Sequence, residues 1–167
     1  GGIDVKDIPF TQLMENVSYV AQDTFLFDCS LADNIRMGKR DATMEEVIAA
    51  AKAAGCHDFI EALPHGYDTS AGEAGGRLSG GERQRAFLAM LMAQDPAFFL
   101  LDEVTSYMDV EYQKRTTKIV RRLAANGKGV VMTTHDLALG FSLSDRILVM
   151  NRGRILLGGT PEEVRRE

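Results

Sequence analysis

A short apolar run that stops at two carboxylates constrains the fold of this chain more than any other feature. The run FFLL occupies residues 98–101, and Asp102 and Glu103 follow it directly. A continuous apolar run of strand length is typical of a parallel sheet. Open sheets of this kind bind ligands at the carboxyl ends of their strands. The sequence therefore predicts an α/β protein whose sheet edge presents two carboxylates to a metal ion and a water molecule.

The segment before this strand predicts a helix whose start can bind an anion. It reads LSGG at residues 78–81, and a long apolar segment follows. Gly80 and Gly81 lack a Cβ, so an anion can approach the backbone closely, and the free N–H groups and the helix dipole favour negative charge. Together with the hydroxyl of Ser79, this pattern indicates a phosphate-binding turn.

Three motifs in one order resemble the nucleotide-binding domain of ABC (ATP-binding cassette) transporters. LSGGE at 78–82 matches the signature motif of that family, FFLLDE at 98–103 matches its Walker B strand with the catalytic glutamate, and SYMD at 106–109 lies where the family has its D-loop. The alternative is a helix-capping glycine turn followed by an unrelated core strand. The resemblance implies a P-loop NTPase-like (RecA-like) parallel sheet core with the helical subdomain of ABC proteins. It also implies ATP and Mg²⁺ as ligands.

The phosphate-binding loop of that family does not occur in this sequence. The pattern G-x-x-x-x-G-K-[ST] is missing, because Gly38-Lys39 and Gly127-Lys128 both lack the upstream glycine and the following hydroxyl residue. That loop supplies backbone N–H groups, a lysine charge and a Mg²⁺-binding hydroxyl. We therefore expect a C-terminal fragment that lacks the N-terminal part of the domain. We also expect this fragment alone neither to bind ATP tightly nor to hydrolyse it.

A second strand is predicted over residues 17–21, and Gln22 follows it. The resemblance makes Gln22 the Q-loop residue, whose uncharged amide can bond a Mg²⁺-bound water and still move. It also places residues 24–27 near the docking site of a transmembrane domain. The alternative is that Gln22 is only a polar strand end and that Phe25 and Phe27 are core residues.

Residues 28–94 are predicted to be mainly helical. Helices are expected over residues 30–36, from Thr43 to Gly55 and over residues 58–63. Thr43 with Glu46 makes a capping box at the start of the second of these helices. By the resemblance, this stretch is the helical subdomain and includes the signature motif. Residues 1–27 and 95–167 would then be the remainder of the catalytic core.

The segment LPHGYDTSAGE at residues 63–73 resembles the exporter branch of the family. In that branch, Glu73 would occupy a cross-domain contact. Glu82 departs from the pattern, because many exporters have Gln at this position, and the apolar residues 87–92 replace a helix that is usually rich in Ala and Arg. The alternative is a flexible glycine-rich loop.

Helices and strands alternate after Glu103. A helix is expected over residues 110–125, strands over 129–134, 146–150 and 154–157, a hairpin turn at 151–153 and a capped helix from Thr160. His135 follows the first of these strands, where the family has its H-loop, and its imidazole can donate a hydrogen bond to the γ-phosphate. The alternative is a structural histidine at a strand end. At the other end of the chain, residues 1–9 are expected to form an edge strand.

Composition excludes several other classes of protein. The 167 residues carry a net charge of −5. The sequence has no basic cluster with interleaved aromatic residues, so we expect no nucleic-acid partner. Cys29 and Cys56 have no metal-ligand spacing, so we expect neither a disulfide nor zinc. Apolar runs are far shorter than the roughly 20 residues that span a bilayer, and membrane association must come through another segment or chain.

The resemblance implies a complete mechanism. Two such domains enclose two ATP molecules head to tail, and a transmembrane domain holds them at the cytoplasmic face of the plasma (inner) membrane and selects the transported substrate. Asp102 would hold Mg²⁺ through water, and Glu103 would polarise the attacking water. Gln22 and His135 would sense the γ-phosphate. Ser79, Gly80 and Gly81 would bind ATP across the dimer. Asp109 would couple the two sites. The alternatives are a soluble ABC ATPase without a transport role and a catalytically silent interaction module.

Overall fold

The chain folds into helices and strands that fall into two units, Gly1–Thr133 and Thr134–Glu167. The structure is a computed structural model that describes residues 2–21, 24–104 and 110–167. In chain order, its helices and strands are α1 (Phe10–Asn16), β1 (Val17–Val20), α2 (Leu31–Arg36), α3 (Met44–Ala53), α4 (His57–Glu61), α5 (Gly80–Gln94), β2 (Phe98–Asp102), α6 (Val110–Ala125), β3 (Gly129–Thr133), α7 (Leu137–Leu143), β4 (Ile147–Asn151), β5 (Arg154–Gly159) and α8 (Pro161–Val164). Short 3₁₀ helices occupy Val5–Asp7, Gly66–Asp68 and Glu73–Gly75.

The first unit contains a three-stranded sheet in the order β1-β2-β3, and both strand pairs are parallel. Val20 lies opposite Leu101, and Asp102 lies opposite Thr133. The carboxyl ends of the strands therefore meet at one edge, which confirms the predicted parallel α/β core. The prediction of an edge strand over residues 1–9 is wrong, because Val5–Asp7 is a 3₁₀ helix that the side chain of Asp4 caps.

One face of this sheet is well buried. Val20, Phe99 and Leu101 are at most 4% exposed, and α5 and α6 contribute the apolar residues that meet Val20 and Leu101. The alternate positions Tyr19 and Phe98 are 54% and 52% exposed. The run at residues 98–101 thus has the period-two burial of a strand that is covered on one face.

The helices of residues 31–94 build a core of their own against α5. Leu31 and Ile35 of α2 and Val47 of α3 are fully buried. The predicted capping box is present, since the backbone N–H of Thr43 donates to Glu46 Oε2 over 2.8 Å. None of the described helices is long and apolar enough to cross a lipid bilayer. The boundaries proposed above for a helical subdomain stay a prediction.

The second unit contains an antiparallel hairpin of β4 and β5 with a helix on each side in sequence. Arg152 and Gly153 both have positive φ, at 47° and 74°, which is the geometry of a type I′ turn. The hairpin, its turn and the capping box of Thr160 and Glu163 are confirmed. Helix α7 was not expected, and Asp136 begins it by accepting a hydrogen bond from the backbone of Leu139 over 3.0 Å.

Candidate active site

The first part of the candidate site is the start of α5, where Ser79 is the N-cap. Its hydroxyl accepts from the backbone N–H of Glu82 over 3.3 Å and donates to Glu82 Oε2 over 2.8 Å. The Ser79 N–H also donates to this carboxylate, and these bonds hold the pKa of Glu82 below its usual value. A Cβ added at Gly80 would meet no atom within 4 Å. The helix start is therefore open at Gly80, while its serine and glutamate cap each other.

The second part is the carboxylate of Asp102 at the end of β2. Thr133 Oγ1 donates to Asp102 Oδ1 over 2.6 Å, and the Tyr19 hydroxyl donates to Asp102 Oδ2 over 3.0 Å. These two bonds lower the pKa of Asp102, the Thr133 bond more than the Tyr19 bond, because both stabilise the ionised form. The hydrogen bond between Tyr19 and Asp102 also raises the pKa of the Tyr19 hydroxyl. Three neighbouring strands thus hold one ionised carboxylate at the sheet edge.

The third part is the turn that follows Asp102. Glu103 has a φ of +49°, a left-handed conformation that is uncommon for any residue other than glycine. Its backbone N–H donates to Thr133 Oγ1 over 3.0 Å. The carbonyl of Val104 accepts from Gln84 Nε2 of α5 over 2.9 Å. Bonds from β3 and α5 therefore fix the backbone on both sides of the Glu103 side chain.

Known proteins resemble this chain in sequence over most of its length. A family model described as "ABC transporter" matches residues 1–106. The chain belongs to the ABC transporter family. It is 42% identical to the Beta-(1-->2)glucan export ATP-binding/permease protein NdvA of Brucella abortus, over 98% of this chain and 27% of that protein. It is equally 42% identical to Heavy metal tolerance factor 1 of Caenorhabditis elegans, over 98% of this chain and 20% of that protein.

A solved ABC exporter has the same fold. The structure of a bacterial Atm1-family ABC exporter with ATP bound superposes on this chain with a TM-score of 0.90 and 36% sequence identity. The superposition covers 99% of this chain and 28% of the exporter chain. The predicted P-loop NTPase-like α/β fold and the resemblance to an exporter-like ABC nucleotide-binding domain are confirmed. The chain spans less than a third of the length of these relatives.

The site residues predicted from sequence fall into four groups. Asp102 and Glu103 lie together at the sheet edge, and Ser79, Gly80 and Gly81 lie at the start of α5, whose next turn carries Gln84 to the Val104 carbonyl. The predicted residues Gln22 and Asp109 fall outside the described part of the chain. His135 belongs to the second unit.

Three residues at the candidate site were not anticipated from sequence, namely Tyr19, Gln84 and Thr133. Each lies in a helix or strand that was predicted, but no motif implied the contact that it makes. A hydroxyl at the end of β3 could have been paired with Asp102 once the parallel register was assumed, because strand ends align at one edge. The contacts of Tyr19 and Gln84 depend on side-chain reach across 83 and 20 residues of sequence, for which no pattern in one sequence gives a signal.

The donor set fits a magnesium ion that is only partly held by protein. Within the described ranges, no group of three or more His, Cys, Asp and Glu side chains is placed to hold a metal. Asp102 offers an ionised carboxylate at the sheet edge. Mg²⁺ prefers oxygen ligands and keeps several waters, so this carboxylate could hold the ion through one of those waters. Asp102 therefore suits a Mg²⁺ ion that arrives with a nucleotide.

Proposed function

We propose that this chain is part of the ATP-binding and ATP-hydrolysing machinery of an ABC exporter. The observation that carries the proposal is the strand-end pair Asp102 and Glu103, held at the carboxyl edge of a parallel sheet by hydrogen bonds from other elements. Support comes from relatives whose names describe export ATP-binding/permease proteins and from the resemblance to an exporter solved with ATP bound.

In this proposal, each carboxylate has one role. Asp102 accepts hydrogen bonds from water held by Mg²⁺, which is consistent with its lowered pKa. Glu103 polarises the water that attacks the γ-phosphate, and Gln22 and His135 contact that phosphate. Mg²⁺, when bound there, would supply positive charge that offsets the negative charge of the phosphates. The protein contributes position and electrostatics, which supply most of the catalysis in phosphoryl transfer.

The proposal requires a second nucleotide-binding domain. Ser79, Gly80 and Gly81 would bind the nucleotide held by that domain, head to tail, and Asp109 would couple the two sites. The open space at Gly80 supports this role, because backbone N–H groups at a helix start bind phosphate only where the anion can approach.

A transmembrane domain is the other proposed partner, and it would hold the chain at the cytoplasmic face of the membrane. Phe25 and Phe27 form an edge-to-face pair with ring centroids 5.2 Å apart, and both rings are about half exposed. The buried Asn34 side chain accepts from the Phe27 N–H over 2.8 Å and donates to the Phe27 carbonyl over 3.0 Å. A rigid backbone that presents two exposed rings supports docking of an apolar partner surface.

The chain by itself is proposed to be inactive. Its 167 residues contain no G-x-x-x-x-G-K-[ST] loop, so the phosphate charge would meet mainly carboxylates. Calorimetric titration of Mg-ATP into the purified chain should give no binding in the micromolar range. Micromolar affinity would contradict this part of the proposal.

Hydrolysis by the complete protein that contains this chain tests the proposed activity. A release of phosphate that Glu103→Gln abolishes would support an ATPase, whereas equal slow release by both proteins would favour a silent interaction module. Membrane fractionation of the same protein separates an exporter from a soluble ABC ATPase, because only the exporter should sediment with membranes.

A further inference from the structure

Gln84 is a buried polar side chain whose partner lies next to the candidate catalytic glutamate. It belongs to α5, five residues after Ser79, and it is 6% exposed. Its Nε2 donates to the carbonyl of Val104 over 2.9 Å. Val104 is 5% exposed and follows Glu103 directly. This hydrogen bond joins the helix that begins at Ser79 to the turn that bears Glu103.

The surroundings of this bond are largely apolar. A cavity of about 20 Å³ beside Gln84 is lined mainly by aliphatic residues of β1, β2, α5 and α6, among them Leu88, Leu101 and Ile119. A buried amide or carbonyl that loses its partner in such surroundings keeps the full cost of its desolvation. The bond between Gln84 and Val104 is therefore a strong constraint on the distance between α5 and the turn.

The backbone of Glu103 needs such a constraint. Its φ of +49° is a conformation that is strained for a residue with a Cβ and that persists where the surrounding structure enforces it. Thr133 holds the N–H side of Glu103, and Gln84 holds the carbonyl one residue later. These two contacts come from different elements and act on opposite sides of the same side chain.

We propose that Gln84 is a positioning residue for Glu103, so that the helix bearing Ser79, Gly80 and Gly81 sets the place of the water-polarising carboxylate. This inference rests on the proposed function of Glu103. Gln84 touches neither nucleotide nor water in this role; it acts through the backbone of Val104. Movement of the start of α5 against a nucleotide would thereby be transmitted to the site of water activation.

The first test measures amide hydrogen exchange in the full chain by NMR. Gln84→Met keeps the length of the side chain and removes the N–H donor, and Gln12→Met on the exposed face of α1 is the matched control. The Glu103 amide should exchange roughly three- to tenfold faster in Gln84→Met, as expected for the loss of one hydrogen bond. The amide of Val47 should be unaffected. Unchanged exchange at Glu103, or equal acceleration at Val47, would overturn the proposal.

The second test measures ATP hydrolysis by the complete protein. Gln84→Met should lower kcat roughly three- to tenfold and leave the KM for ATP within about twofold, because the residue acts on the reacting geometry and not on nucleotide binding. Faster exchange with an unchanged kcat would show that the bond is structural only. If the unaltered protein does not hydrolyse ATP, the proposed function fails, while the exchange result still reports on the contact.

A measurement on the unaltered chain covers the case in which Gln84→Met does not fold. The Nε2 protons of Gln84 should exchange with solvent at least tenfold more slowly than those of Gln12, as protected side-chain amides do. Equal rates for the two glutamines would overturn the contact on which the proposal depends.

Discussion

Arg152 and Glu103 are two of the described residues other than glycine that have a left-handed conformation, and the two turns adopt it for different reasons. Arg152 has a φ of 47° and Glu103 a φ of 49°. At Arg152, the cause is local: a two-residue hairpin turn between β4 and β5 requires positive φ, and Gly153 follows. At Glu103, the described contacts come from Thr133 and, through Val104, from Gln84. The turn at Arg152 joins two strands of a hairpin, and the turn at Glu103 carries the candidate catalytic carboxylate.

Turns with similar backbone geometry can therefore differ in their importance for function. A local turn changes little when its residue is replaced, because its neighbours in sequence determine it. A turn that distant elements hold responds to changes in any of those elements, and left-handed residues held in this way tend to occur at functional sites. Substitutions at and around the two turns test this difference.

The largest effect is expected at Glu103 itself. Glu103→Gln keeps the size of the side chain but removes the charge that polarises water, so hydrolysis by the complete protein should fall by roughly 100-fold or more. The matched change Arg152→Gln at the hairpin should leave the rate unaltered. Phosphate release at saturating ATP measures both. A comparable loss in the two variants would remove the functional distinction between the turns.

A smaller effect is expected at Thr133. Thr133→Val removes the hydroxyl that accepts from the Glu103 N–H and donates to Asp102. The Glu103 amide should exchange roughly three- to tenfold faster as a result. Thr133→Ser retains the hydroxyl and serves as the control, and the amide of Arg152 should exchange at the same rate in all three proteins. If Ser and Val give the same acceleration, the hydroxyl does not support the turn.

The Tyr19 hydroxyl contributes to the lowered pKa of the Asp102 carboxyl at the sheet edge. The pKa of Asp102 is lowered in the folded protein by Thr133 first and Tyr19 second. Tyr19→Phe should therefore raise this pKa, which carboxyl-carbon NMR during a pH titration would measure. Because the folded pKa lies below the unfolded value, Asp102 stabilises the fold above the unfolded pKa of about 3.9, and this contribution is lost as the pH falls through the folded pKa.

The acid stability of the same variant provides a control on sign. The loss of stability between neutral pH and about pH 3 should be smaller in Tyr19→Phe than in the unaltered chain, since less of its stability depends on ionised Asp102. A larger loss on acidification would mean that the Tyr19 bond favours the protonated carboxyl. Urea unfolding at the two pH values decides between these results.

The smallest effect is expected at the hairpin. Arg152→Gly should stabilise the second unit by about 0.5 kcal/mol, because glycine adopts positive φ without steric cost but gains freedom in the unfolded chain. Arg154→Gly at the start of β5 is the control and should destabilise by a similar amount, since glycine is unfavourable in strands. Urea denaturation measures both changes. A destabilising Arg152→Gly would show that the Arg152 side chain supports the turn after all.

Most elements were predictable because their signals are local. Thr43 with Glu46 and Thr160 with Glu163 specify helix starts, and the turn before Arg154 specifies a hairpin. The edge strand predicted for residues 1–9 does not form. Alternating apolar residues indicate a strand, but the side chain of Asp4 caps a 3₁₀ helix at Val5–Asp7. Capping by a nearby side chain competes with extended structure over so short a stretch.

The sequence by itself determined the family, the parallel order of alternating strands and helices, and the position of Asp102 and Glu103 at the end of an apolar strand, because each depends on residue types at short and regular spacing. Only the tertiary structure decided that Tyr19 and Thr133 bond the first carboxylate and that Gln84 holds the turn after the second. Such contacts depend on which side chains the register and the helix packing bring within about 3 Å of each other, and no spacing along the chain encodes that distance.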